Sequence, residues 1–484
     1  MNAYLMNKKT DFVIDEEIGD DAEMQLKDLG LDAVLDEMAH DDKTVMLACK
    51  SAFVHPQHTK DDICYRQSAL QDAINHPNVV LDIYSLLNET AEKKRHMINW
   101  LTSEYISNTF SDAVSVLRLY TDTLSKLAQM ADRSLTLFHS AAFRRFFTIL
   151  KEELSEEYLD EVRENLDELK ENDGYLISAE LGDSVQGIDY QLLKKEKNFK
   201  LRWLLAPSYT LNSRDDLGFS DLGVRRDRAI NESADALAKS AEQLESFFKM
   251  LQNEIAFYVG CLNLKKKIED LQMPYCMPNI QNEKRSYENL YDLGLVLRKS
   301  DDVIRNSLDE KNAHLYLITG ASQGGKSSYL KSIGQCQTMG QCGMFVPAEQ
   351  YEMPAYCGIY THFARIEDAS MKSGRLDEEL TRMEMIAAEI EGKSLILFDE
   401  SFASTNEREG SEVLRQITQA LLDNGMDIFA VTHLYTYACG FADRKDTFCL
   451  EAERKTNGER TYRIIPGKPS QTGYGEDLYR RIFK

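Results

Sequence analysis

Leu315-Tyr316-Leu317-Ile318-Thr319-Gly320-Ala321-Ser322-Gln323-Gly324-Gly325-Lys326-Ser327-Ser328 decides the fold of this chain. An apolar run of strand length leads into G-x-x-x-x-G-K-S, and a helical pattern follows. That is the context a phosphate-binding loop requires. Glycines let backbone N–H groups turn inward around phosphates, so Gly320 through Ser328 are the expected nucleotide-binding residues. Within them Lys326 reaches the β and γ oxygens and the Ser327 hydroxyl ligates Mg²⁺.

Two strands farther along complete the chemistry. Ser394-Leu395-Ile396-Leu397-Phe398-Asp399-Glu400 is an apolar strand ending in two acids, which must emerge at the carboxyl edge where open parallel sheets place their ligands. Asp399 is expected to hold Mg²⁺ through water, and Glu400 to orient or deprotonate the attacking water. Asp427 to Val431 delivers Thr432-His433, where the imidazole can touch a γ-phosphate. Glu400, His433 and Lys326 are the candidate catalytic residues. With Ser327 to Thr338 and Ser411 to Leu422 reading as helices between such strands, residues 286–484 form an α/β P-loop NTPase domain.

Upstream the pattern changes. Residues from about 31 to 150 read as helices, with apolar recurrences at three and four in Val80 to Leu87 and Ala113 to Leu127. Glycine and proline then punctuate a small mixed insert, about 155–230, that carries strand-like runs such as Tyr175-Leu176-Ile177. Leu237, Ala241, Leu244, Phe248, Leu251, Ile255, Tyr258 and Leu262 follow as a heptad seam, which fits either an intermolecular coiled coil or a helix packing within its own domain. The shortness of the seam favours an intramolecular antiparallel arm with the insert at its tip. Pro274 to Pro278 ends that helix, and a helical core and lever domain spans 31–285.

The chain has 484 residues, enough for about three domains, and a net charge of −23. Such acidity opposes phosphate-backbone binding, so the distribution of charge matters. Residues 1–30 are an acidic segment, crowded with Asp15, Glu16, Glu17, Asp20, Asp21, Glu23 and Asp28, and read as a solvated lead-in. Lys194, Lys195, Lys197, Lys200 and Arg202 run the other way, interleaved with Phe199 and Trp203, and are the candidate DNA contacts. The nine scattered cysteines form no C-x-x-C pair and read as reduced thiols. No stretch reaches the roughly 18 apolar residues of a membrane span and no signal pattern opens the chain, so a cytoplasmic protein without membrane contact is expected.

Taken together, Gly-Gly-Lys-Ser at 324–327, Asp399-Glu400 followed by Ser-Phe-Ala-Ser-Thr-Asn, Val431-Thr432-His433, and Pro466-Gly467 with Gly473-Tyr474-Gly475 resemble the MutS mismatch-repair ATPases. Phe345-Val346-Pro347-Ala348 and the stretch from Cys261 to Ile280 are also similar to that family, as is Asp62 to Gln67 followed by Asp72 to Pro77. The resemblance implies an ABC-like ATPase domain, a lever and a DNA-gripping clamp, ATP with Mg²⁺, and a homodimer closed through the ATPase faces. It also implies that Ser373, Gly374 and Arg375 complete the partner's site in trans.

The departures carry expectations too. Ala321, Ser322 and Gln323 replace the family's Pro-Asn-Met, and Val303 stands where a base-stacking aromatic is common. No Phe-x-Glu wedge lies near the start and the chain stops at Phe483-Lys484, so direct mismatch reading and added dimerisation helices are not expected. The alternative to DNA processing is a nucleotide-switched protein-interaction module, which the acidity favours. An ABC or chromosome-structure ATPase is disfavoured by the short seam and the lack of Leu-Ser-Gly-Gly.

Overall fold

The computed structural model describes residues 2–14, 18–98, 106–169, 176–183, 187–193, 210–212, 214–281, 285–299, 303–310, 313–364, 374–455, 458–469 and 479. They fall into two compact units, Met1–Leu5 with His76–Ile255, and Met6–Asn75 with Ala256–Lys484.

The chain begins in helices α1 (Asp20–Leu29), α2 (Asp32–Ala39), α3 (Lys43–Val54) and α4 (Lys60–Asn75). The described part of the acidic lead-in keeps Asp20 and Asp21 in solvent, as expected, but on a folded helix. Asp20, Asp21 and Glu23 sit in the first turn of α1, where the helix dipole favours them, while Leu26 and Leu29 are buried. Gly30 then closes the helix at φ +69°. Within its own unit, the Leu29 carbonyl accepts from Gln335 Nε2 at 2.8 Å.

Helices α5 (Pro77–Ile98), α6 (Ile106–Ser134), α7 (Ala141–Glu153) and α8 (Glu156–Glu168), the antiparallel hairpin β1 (Ile177–Leu181) and β2 (Gly187–Leu192), and most of the long helix α9 (Asp216–Asp270) make the other unit. Ser140 and Ser155 cap α7 and α8 by accepting the amides of Phe143 and Tyr158. The heptad seam packs inside the chain. Leu237, Ala241 and Leu244 of α9 lie against a cluster formed by Phe110, Val114 and Leu117 of α6 and Leu166 of α8. Helix α9 runs antiparallel to α5, since Gln252 Nε2 donates to Asn88 at 2.5 Å and Lys94, farther along α5, pairs with the earlier Glu245. It runs parallel to α6, because Phe110 shares a buried cluster with Ile230 while, farther along both helices, Tyr120 packs on Phe248.

After α9 come β3 (Asn279–Ile280), β4 (Arg285–Leu290), α10 (Leu293–Arg298), β5 (Asn306–Glu310), β6 (Leu315–Gly320), α11 (Lys326–Gln341), β7 (Gln350–Met353) and β8 (Ile359–Phe363). Then follow α12 (Arg375–Glu389), β9 (Leu395–Asp399), α13 (Glu407–Asp423), β10 (Asp427–Val431), α14 (Tyr435–Ala442), β11 (Thr447–Arg454) and β12 (Arg460–Pro466). The main sheet has the order β12-β11-β6-β10-β9-β8, parallel from β11 to β8 with β12 antiparallel at one edge. A second, mixed sheet, β3-β7-β4-β5, is an addition that strand-length apolar runs did not announce. In the main sheet β6, β9 and β10 are buried on both faces, which is why they read as continuous apolar runs.

Candidate functional site

Parallel pairing brings the three motifs to one edge. Val431 lies opposite both Ile318 and Asp399, so the glycine loop, the acidic pair and the histidine leave adjacent strands at the same level. The loop then has to turn sharply. Gly320 at φ +106°, Gln323 at +58° and Gly325 at +89° all lie in the left-handed region. A Cβ on Gly320 would also stand 2.9 Å from the Ala452 amide nitrogen. Gly325 is the N-cap of α11 and offers no side chain, so the first-turn amides keep their capacity for an anion.

Lys326 is 8% exposed, and its ammonium donates to the carbonyls of Gly320 and Ala321, both at 3.2 Å, and lies 4.0 Å from Glu400 Oε1. Burial lowers its pKa, a cost that a phosphate beside it would reverse. The Ser327 hydroxyl donates to Asp399 Oδ1 at 3.0 Å. Burial pushes Asp399 up to about 6, against the Ser327 hydrogen bond and with a contribution from the neighbouring Glu400 charge. A buried carboxylate beside a hydroxyl is a pair of hard oxygen donors, and this pair fits Mg²⁺.

Glu400 Oε2 accepts from the backbone of His433 at 3.1 Å and lies 2.5 Å from its Nδ1. Burial raises the Glu400 pKa, but His433 and Lys326 together outweigh it and hold the carboxyl below its usual range. The same hydrogen bond raises His433. Sequence order thus placed Lys326, Ser327, Asp399, Glu400 and His433 in one constellation, with Ser328 next to them in the first turn of α11. His433 meets Glu400, a partner not anticipated for it.

Two other residues escaped the sequence reading. Arg460 Nε donates to Ser322 O at 3.3 Å, and the backbone of Tyr462, at φ +59°, lies beside Gly325. Strand β12 reaches the loop only because β11 pairs with β6, and no local pattern encodes that adjacency. Of the expected trans residues, Gly374 is the N-cap of α12 and Arg375 its first residue. Ser373 lies outside the described residues, as do Lys194, Lys195, Lys197, Lys200 and Arg202.

A helical unit joined to a parallel α/β unit, with a glycine loop, two carboxylates and a histidine at the strand ends, defines a helical-plus-α/β protein whose candidate chemistry is phosphate handling. Residues 58–271 match the model of the MutS2 N-terminal domain, and residues 316–475 match that of MutS domain V. The chain belongs to the MutS family.

Its similar proteins include a DNA mismatch repair protein MutS of Thermotoga neapolitana, 28% identical over 189 residues that cover 38% of this chain and 23% of the relative. An endonuclease MutS2 of Thermus thermophilus is 31% identical over 189 residues, 37% and 24% of the two chains. An endonuclease MutS2 of Ligilactobacillus salivarius is 27% identical over 260 residues, 50% and 32% respectively. The matched stretch therefore spans only 23% to 32% of these relatives' lengths. No helix among the described residues is long and apolar enough to cross a membrane.

Proposed function

We propose that this chain binds and hydrolyses ATP with Mg²⁺ at the edge formed by β6, β9 and β10, and uses the cycle to change its grip on DNA. One observation carries the catalytic part: Lys326, the Ser327–Asp399 pair and the Glu400–His433 pair converge at one sheet edge. Gly320 to Ser328 would cradle the phosphates, and Lys326 would exchange its two backbone carbonyls for phosphate oxygens. Mg²⁺, held by Ser327 and through water by Asp399, would supply charge neutralisation on those oxygens. Glu400, kept ionised by His433, would orient the attacking water and accept its proton.

Family membership supports DNA as the partner, since a relative's name specifies DNA mismatch repair. In this reading a homodimer forms through the ATPase faces, with Ser373, Gly374 and Arg375 completing the partner's site. The hairpin-bearing insert around β1 and β2, with Lys194 to Arg202 following it in the sequence, meets the DNA backbone without reading mismatches. The net charge of −23 favours a second reading, a nucleotide-switched module that grips a protein.

Steady-state ATP hydrolysis by wild type, Lys326→Ala and Glu400→Gln decides between them, with no DNA, plain duplex, mismatched duplex and branched DNA at low salt. Hydrolysis by wild type alone, altered by one DNA form, is the expected outcome. Hydrolysis indifferent to every DNA selects the protein-gripping module, and equal inactivity of all three proteins overturns the active-site assignment.

A further inference from the structure

The chain leaving the acidic strand is held in an unfavourable shape. Glu400 at φ +53° and Phe402 at φ +56° are bulky residues in the left-handed region. Such strain persists only where the surroundings over-determine it. Part of the hold is local to the site, where the Glu400 amide donates to Val431 O at 2.9 Å.

The rest comes from Glu379 on α12. Its carboxylate, on a residue only 9% exposed, accepts the Phe402 amide at 3.3 Å on Oε1 and the Ser404 hydroxyl at 2.8 Å on Oε2. Its own backbone carbonyl accepts His362 Nε2 at 2.9 Å. That fully buried ring stacks on Phe402 with centroids 5.1 Å apart, and the Ser401 hydroxyl donates to His362 O at 2.6 Å. The same helix is tied to the end of β8, where Arg382 Nη1 donates to Phe363 O at 2.9 Å.

We infer that Glu379 is a positioning residue for hydrolysis. It ties the turn after Glu400 to helix α12, so that movement of α12 alters the aim of Glu400 without touching the phosphate loop. This rests on the proposed ATPase reading. Glu379 stands one helical turn beyond Arg375, at the end of α12 that the trans assignment concerns, so engagement of that end by a partner would reach Glu400 through this carboxylate. A glutamate is suited to the task because one carboxylate can accept from the amide of the buried Phe402 and from the Ser404 hydroxyl at once. A glutamine can substitute, its oxygen accepting the Phe402 amide and its NH₂ donating to Ser404 Oγ. Alanine can do neither.

The test uses the full chain and three variants, Glu379→Ala, Glu379→Gln and Ser404→Ala. The readouts are ATP turnover, affinity for a fluorescent ATP analogue, and hydrogen–deuterium exchange of the segment 400–406. Glu379→Ala is expected to lower kcat by about 10- to 100-fold, because a displacement of the order of 1 Å costs that much, while analogue affinity stays within about twofold. Exchange in 400–406 rises in step. Ser404→Ala falls partway, and Glu379→Gln recovers most of the turnover.

Unchanged turnover in Glu379→Ala overturns the inference. So does a Glu379→Gln as poor as the alanine variant, or an analogue affinity that falls in proportion to kcat. If wild type itself does not hydrolyse ATP, the ATPase reading fails separately, and exchange still decides whether Glu379 holds the turn: faster exchange in Glu379→Ala sustains the anchoring, and unaltered exchange refutes it.

Discussion

The strand edge of the α/β unit and the helical unit are built by opposite rules. At the edge, the buried Lys326 faces the half-buried Glu400, and the backbone is strained at Gln323, Glu400 and Phe402, all non-glycine residues at positive φ. In the helical unit, stability comes from ordinary burial. Phe138, Phe143, Phe146 and Phe147 are each no more than 1% exposed and pack ring against ring, and the α9 seam closes on α6 and α8. Strain and buried charge cost stability, and they collect where a molecule does chemistry. The helical unit holds shape; the edge spends it.

The comparison breaks first at Glu400. Glu400→Gln keeps the size of the side chain but cannot accept a proton, so ATP turnover should fall by about 10² to 10⁴-fold while the thermal transition barely moves. Phe147→Ala should do the reverse, destabilising the helical unit by about 3–5 kcal/mol and leaving the kcat of folded protein within about twofold. Parallel ATPase assays and thermal melts on the two variants check the pair. A Phe147→Ala protein that is stable but slow would mean the helical unit acts on the chemistry directly.

Asp399 sharpens the contrast through pH. Its folded pKa is raised to about 6 from an ordinary 3.8, so the ligand-free folded state binds the proton more tightly than the unfolded one. This group therefore stabilises the ligand-free protein as pH falls from about 6 toward 4, and costs stability above 6. Asp399→Asn should raise stability without nucleotide by about 1–3 kcal/mol at pH 7 to 8, a gain that vanishes near pH 4. The same variant should lose the stabilisation that MgATP gives wild type. Melts across pH, with and without MgATP, read both effects.

How much was legible followed from how local each signal was. The strand-loop-helix at 315–341 and the strands ending at Asp399 and Val431 were readable because apolar runs, glycines and terminal acids lie within a dozen residues of one another. The helices from 32 to 153 and the seam on α9 showed as periodicity. Arg460, Tyr462 and Glu379 were not readable. Their roles arise from sheet order and from a helix packing on a turn over twenty residues away, and no spacing records either. The first helix escaped for another reason: its many acids outweigh Leu26 and Leu29 in composition, yet those leucines are buried and the acids Glu23 and Asp28 pair with Lys50 and Arg382 from distant helices.

The smallest expected change in stability is also the sharpest test of what lies between copies. Gly325 and Gly374 both cap helices, but only Gly325 is forced to be glycine by the single chain, with φ +89°. Gly325→Ala should cost about 1–3 kcal/mol through backbone strain and damage nucleotide binding with it. Gly374 sits at φ −70° with open space where a Cβ would go, so Gly374→Ala should change stability by less than about 1 kcal/mol. If the start of α12 completes a partner's site, this variant should nonetheless lower ATP turnover at high protein concentration, where dimers form, and leave dilute turnover untouched. Turnover indifferent to Gly374→Ala at every concentration would separate α12 from the trans role, and confine its influence to the carboxylate of Glu379 within its own chain.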